Sequence, residues 1–375
     1  MLSIWEKNSF INFDIIIIGS GILGLSTAVS IKEIDPDKEV LILERGTLPS
    51  GASTKNAGFA CFGSLTEIIT DCGRVGESAT AELVEKRWKG IGLLRQRLGD
   101  EAIGLLNYGG YELIADSHLH CLDKIDEVNK LLKSIFPDEA FSKADEFIDK
   151  FGFSRSFTSS LVFSRHESQI DTGKMMRSLL KKAQSLGVVI VIIFDAFIDD
   201  ADSGRLTVSS KTSPVSFTSS AIISCSNAFT SLILPGIEIR PGRGQVIATS
   251  PVRDLKFRGV FHIEEGFYYF RNYGERVILG GGRNLDFESE ETHDFGNTEK
   301  ILGKLNLLLR EVILPGEDFE IECAWSGIMG FNESGLPQIA EAGENIFAGF
   351  CCNGMGVALA SYVGKELAEK ALEKL

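Results

Sequence analysis

An almost unbroken apolar run, residues 13–18 (FDIIII), leads directly into Gly19-Ser20-Gly21-Ile22-Leu23-Gly24, and this junction constrains the fold more than any other feature of the chain. Such a run is expected of a strand covered on both faces in a parallel sheet. Gly19 permits a sharp turn, Gly21 lets the backbone approach a pyrophosphate, and Gly24 lets the next helix pack close to the sheet. The start of that helix offers amide donors and a positive dipole end to an anion. Residues 25–33 read as the helix, and residues 39–44 (EVLILE) as a second buried strand that ends on Glu44. Glu44 lies 20 positions after Gly24, where a carboxylate accepts ribose hydroxyls and would repel the 2′-phosphate of NADP.

Beyond this βαβ unit, residues 77–98, 119–136, 139–151, 169–186, 298–308 and 357–375 have helical character. Residues 108–115, 160–164, 188–193, 216–224, 245–250, 266–271, 276–282, 320–325 and 346–349 read as strands. The order implies an α/β chain with an α+β substrate part, a Rossmann-like nucleotide-binding domain interleaved with a smaller antiparallel-sheet domain. The expected partition gives residues 1–85, 160–244 and 326–375 to the first domain, and 86–159 and 245–325 to the second.

The net charge of −14 repels nucleic acid and anionic membrane over most of the surface. The run at residues 15–29 is too short and too interrupted to span a bilayer, and the first thirteen residues lack the pattern of a signal peptide. Seven scattered cysteines (Cys61, Cys72, Cys121, Cys225, Cys323, Cys351, Cys352) show no metal-ligand spacing and suit reduced thiols in a cytoplasmic enzyme. No metal is expected, and Cys323, Cys351 and Cys352 read as small buried residues rather than nucleophiles.

The loop Gly51-Ala52-Ser53-Thr54-Lys55-Asn56-Ala57-Gly58 suits a ligand that continues past the ribose. With it, the chain resembles the D-amino-acid oxidase/glycine oxidase/sarcosine oxidase superfamily of FAD-dependent flavoproteins. There, a strand–GxGxxG–helix–strand–Glu unit is followed by a GAS-x-x-N-x-G segment. The resemblance implies FAD contacts at Gly19, Ser20, Gly21, Ile22, Leu23 and Gly24, then at Glu44 and Arg45. It implies further contacts at Ser53, Thr54, Asn56, Ala57 and Gly58. Ala196 falls where a backbone group touches the adenine. Ser226 falls where the family often has an Ala-Gly pair beside the dinucleotide. Gly327 and the closing signature Asn353, Gly354, Met355, Gly356 and Val357 fall against the flavin, where amides at a helix start favour the negative charge of its reduced form. Residues 325–331 contain no cysteine, so the FAD is expected to be non-covalent.

The resemblance implies oxidation of the C–N bond of a small amine or amino acid, with hydride transfer to flavin N5 and hydrolysis of the imine. Oxygen or a quinone or other electron carrier would reoxidise the flavin. In the strand at 266–271, Tyr268 falls at the family's substrate-facing tyrosine; by alternation it shares a face with Phe270, and Tyr269 shares the other with Arg271. Amino-acid oxidases of the family carry an arginine two residues after the glycine of their W-x-G strand, and Met329 stands there in this chain. Either Arg271, Arg243 or Arg283 holds the substrate carboxylate, or the substrate is an amine without one. The Tyr-Tyr-x-Arg strand is closer to the γ-glutamylputrescine oxidase branch, which favours an amine. The five histidines, His118, His120, His166, His262 and His293, show no catalytic spacing. A 2-hydroxy-acid oxidase or dehydrogenase, and a non-catalytic flavin-binding protein, are the alternatives; reduction of the flavin by hydroxy acids or by nothing would mark them.

Overall fold

The computed structural model describes residues 1–202, 205–350 and 352–375. The strand Asn12–Ile18 lies between two parallel neighbours, Val40–Leu43 and Ser213–Ser224. This explains the absence of polar alternation in its sequence, since Ile15, Ile16 and Ile17 have no exposed surface. Its eight-stranded sheet runs Gln338–Gly343, Ile346–Phe350, Ser213–Ser224, Asn12–Ile18, Val40–Leu43, Val189–Val191, with Arg205–Ser210 and Ala196–Asp202 branching from Ser213–Ser224. The helix Ile22–Ile34 is buried almost all round because it packs against the C-terminal helix Gly356–Leu372 and the helix Thr172–Ser185 as well as the sheet. The long helix Glu77–Leu98 packs against Gly356–Leu372 in turn.

The second sheet is also eight-stranded: Ile321–Phe331, Arg240–Thr249, Arg276–Gly281, Tyr268–Tyr273, Val260–Ile263, Gly110–Ile114, Ser160–Ser164, Ser142–Lys143. All of its pairings are antiparallel except Val260–Ile263 with Gly110–Ile114. Its core is aromatic; Phe261 and Phe270 stack with ring centroids 4.6 Å apart. The chain therefore passes from the first sheet to the second and back twice, and a mixed α/β architecture results.

The boundaries differ from those expected in three places. Ser160–Ser164 lies in the second sheet, and so do residues 240–244 and 326–331, because Arg240–Thr249 and Ile321–Phe331 pair along their whole length. The stretch at 139–151 forms a helix only over Phe147–Phe151, since Ser142–Lys143 pairs as an edge strand. Residues 119–136 split into a 3₁₀ segment, Asp116–Lys124, and a short α-helix, Ile125–Leu131. The helix Leu65–Val75 was not anticipated, although Ser64-Leu65-Thr66-Glu67 is a capping box at its start. No helix among the described residues is long and apolar enough to cross a membrane. Cys61, Cys72, Cys121, Cys225, Cys323 and Cys352 are free thiols, while Cys351 lies outside the described residues.

Candidate active site

Between the two sheets lies a cavity of about 760 Å³, near the upper end of the ~300–1,000 Å³ usual for ligand sites. Its size suits an extended ligand. The glycine-rich turn forms one end, where Gly19, Gly21, Ile22 and Leu23 line the wall. Ser20 and Gly24 do not. The Ser20 hydroxyl donates to Glu44 Oε2 at 2.7 Å, and its amide donates to the same oxygen at 3.0 Å. Gly24 faces the strand, where a Cβ would stand 2.0 Å from the Gly19 carbonyl oxygen.

Glu44 lines the cavity and also accepts from the Gly46 amide at 2.8 Å, so the carboxylate braces the turn that surrounds it. Arg45 lines it too, its guanidinium 4.3 Å from the centre of the Phe229 ring. Ser53, Asn56 and Ala57 face the cavity, and Ser53 Oγ accepts from the Ile22 amide at 2.9 Å. Thr54 and Gly58 point elsewhere. Thr54 Oγ1 donates to Pro49 O at 2.7 Å, and Gly58 lies against Ile170 O. Ala196, Ser226, Gly327 and all five of Asn353, Gly354, Met355, Gly356 and Val357 line the same cavity. Two helix starts, those of Ile22–Ile34 and Gly356–Leu372, thus open into one space. This fits a dinucleotide with anionic groups at its middle and far end.

The substrate face corrects the assignment of the aromatic strand. Tyr268 is 1% exposed and packs in the core of the second sheet, whereas Tyr269 faces the cavity. Both faces of this strand are covered, so alternation paired the residues correctly but could not say which pair met the ligand. Arg271 is also behind the wall. Its Nη1 donates to Ile170 O at 2.6 Å and Gly58 O at 3.0 Å, and burial lowers its pKa to about 10. Arg243 forms a two-pronged ion pair with the buried Glu290, at 2.8 and 2.9 Å. Arg283 lies 4.0 Å from the Phe331 ring centre. None of the three arginines lines the cavity, whereas Met329 does.

A polar cluster that sequence spacing did not reveal stands beside Tyr269. Phe59 packs edge-on against both His262 and Tyr269, with centroids 5.5 and 5.6 Å apart. His262 Nε2 is 2.9 Å from Glu167 Oε2, and Nδ1 is 3.6 Å from Glu67 Oε2. Glu67, Cys61 and His262 line the cavity, with Glu167 behind them. Burial opposes the His262 imidazolium, but Glu167, Glu67 and Glu112 together raise its pKa to about 9. Burial raises Glu112 to about 7, although Thr66 bonds oppose this. Burial, with Glu167 and Glu67 nearby, pushes the Cys61 thiol well up. Ligand atoms of Cys61, Glu167 and His262 lie within 4.8 Å of one another, but the His262–Glu167 bond already occupies two of the three groups.

This pair makes stability depend on pH. The folded pKa of His262 stands above its ordinary 6.5, so its contribution is complete below pH 6.5 and is lost as pH rises through about 9. Glu112, raised from 4.5 to about 7, acts in the same direction but over the lower window between those values. Unfolding free energy is expected to fall between pH 6.5 and 9, with His262 supplying on the order of 3 kcal/mol of the change. Denaturant titrations at both pH values check this, and the drop should shrink in His262→Gln/Glu167→Gln.

The comparisons agree with this geometry. The family model described as FAD dependent oxidoreductase matches residues 14–370. The chain belongs to this family. Its fold resembles that of an L-proline dehydrogenase from P. horikoshii, with a TM-score of 0.77 at 16% identity over 96% of this chain and 93% of that one. A glycine oxidase from Geobacillus kaustophilus gives a TM-score of 0.73 at 20% identity, covering 97% and 96% of the two chains. The probable oxidoreductase OrdL of Haemophilus influenzae is 24% identical, covering 96% of this chain and 83% of that protein. As a member of the FAD-dependent oxidoreductases, the chain has the flavin cofactor its glycine segments suggest, and those segments line one cavity.

Proposed function

We propose that this flavoprotein oxidises the C–N bond of a small amine, with FAD held non-covalently along the cavity. FAD, when bound, supplies the acceptor for the hydride that leaves the substrate carbon next to nitrogen. The chain's own part is to align and to dry. Glu44 holds the ribose hydroxyls, the helix start at Gly21–Ile22 holds the pyrophosphate, and the amides around Gly354–Val357 favour negative charge beside them. Phe59, Tyr269 and Met329 present a mostly apolar surface against which the substrate carbon is fixed, and this alignment is the larger share of the catalysis. The imine then leaves and is hydrolysed in water.

The observation that carries the amine reading is the composition of the wall: Glu67 faces the cavity, and the three arginines considered for a carboxylate do not. The domain partition we propose follows the two sheets, with the cavity at their junction. One residue favours an amino acid instead. Lys55 lines the cavity, and its stem lies beside Gly327.

Anaerobic mixing of the holoprotein with amines, amino acids and 2-hydroxy acids tests the proposal. Amines should bleach the flavin absorbance fastest; bleaching by neutral amino acids alone, lost in Lys55→Met, would favour the amino-acid reading. Tyr269→Phe should lower kcat/KM about tenfold, the worth of one hydrogen bond, with flavin retained. Tyr268→Phe should leave kcat/KM unchanged.

A further inference from the structure

The geometry points to Glu67 as the residue that binds the non-reacting, positively charged end of the substrate, so that the substrate is an amine with a second cationic nitrogen. This rests on the oxidative reading of the site and names its substrate class. Glu67 sits in the first turn of Leu65–Val75, where the Ser64 amide donates to Oε2 at 2.8 Å. Oε1 accepts no hydrogen bond among the described residues, and the side chain keeps 23% of its surface, on a residue that lines the cavity. Its carboxyl tip lies close to Gly266, where a Cβ would stand 2.6 Å from the Glu67 carboxyl carbon and 2.7 Å from Oε1, and Gly266 lines the cavity too. The carboxylate is therefore held at the cavity wall through Oε2, with Oε1 left without a donor from the described residues.

His262 is shared between two carboxylates, with Nε2 2.9 Å from Glu167 and Nδ1 3.6 Å from Glu67, so one imidazole faces both. A single imidazole can balance at most one of the two carboxylates it faces. A fixed negative charge would be misplaced beside the reacting nitrogen. It would hold that nitrogen protonated, and the lone pair is needed as hydride leaves the carbon. It suits a second ammonium, which stays charged throughout, and a charge-assisted bond in a partly buried site rewards it. The neighbouring Phe59 and Tyr269 rings suit the methylene chain between the two nitrogens.

Three probes of equal length separate the possibilities: 1,4-diaminobutane, butylamine and 4-aminobutanoate, which differ only in the distal group. Their binding to the holoprotein is measured by calorimetry under anaerobic conditions, beside the rate of flavin bleaching. The diamine should bind at least tenfold more tightly than butylamine, and 4-aminobutanoate most weakly. Glu67→Gln, which keeps a helix-start acceptor, should bring the diamine and butylamine within threefold with flavin content and Tm preserved. Glu67→Asp should restore part of the preference. A diamine preference that survives Glu67→Gln, or tightest binding of 4-aminobutanoate, would overturn the assignment, as would no binding of the diamine. Bleaching by butylamine together with such a result would leave the oxidative reading standing. A selective binding pattern without bleaching by any amine would do the reverse.

Discussion

Gly24→Ala is expected to yield a protein that is colourless and unfolds at least 6 °C lower, a loss of about 3 kcal/mol or more at roughly 2 °C per kcal/mol. The added methyl would lie 2.0 Å from Gly19 O and 3.3 Å from the Cys225 Cβ. The first of these is a backbone atom, so no rotamer change relieves it. Ile22–Ile34 must move off the sheet, and with it the Gly21 turn that lines the cavity and the Ile22 amide bonded to Ser53 Oγ. Because the helix is buried against the first sheet, Gly356–Leu372 and Thr172–Ser185, it has nowhere to move without opening the core. Gly92→Ala provides the comparison. It adds the same methyl in the interior of Glu77–Leu98, where no atom lies within 4 Å. That change should raise stability by up to about 1 kcal/mol. Calorimetric unfolding and the flavin absorbance read both variants; a yellow Gly24→Ala with unchanged Tm would refute the close-packing role.

The second large effect is at Glu44. Glu44→Ala removes the acceptor proposed for the ribose and the partner of three donors of the chain, the Ser20 amide and hydroxyl and the Gly46 amide. Glu44 is 9% exposed, so these donors are left without their partner in a largely dry site. FAD affinity should fall by two to three orders of magnitude, roughly 3–4 kcal/mol. Glu44→Gln should lose less, since its amide oxygen still accepts one or two of those bonds. The Kd for FAD, titrated against apoprotein whose circular dichroism matches the wild type, gives the answer. An affinity within threefold would remove Glu44 from the site.

The nucleotide end was legible because its information is local. A turn, a close approach and a carboxylate 20 positions on are fixed by residues near one another in the chain, and each has one physical use. The substrate end was not, for two reasons. Tyr268 and Tyr269 lie on a strand buried on both faces, so period-two alternation could not tell the core side from the ligand side. The cluster of Glu67, Glu167 and His262 joins segments 95 and 195 residues apart, whose meeting depends on the pairing of Val260–Ile263 with Gly110–Ile114 and on the docking of Leu65–Val75. The capping box at Ser64–Glu67 is a local signal for the start of that helix, but it carries no information on where the first turn points. The overreading at 139–151 came from helix-forming residues that an edge pairing and a turn overrode. Here tertiary pairing outweighed propensity.

One ligand is proposed to fill the cavity from the glycine turn to the closing helix. Titration of flavin-free protein with FAD, followed by acid precipitation, tests this most directly. It should take up one FAD per chain, turn yellow, and release all of the colour to the supernatant. Protein that stays colourless in excess FAD would contradict the account.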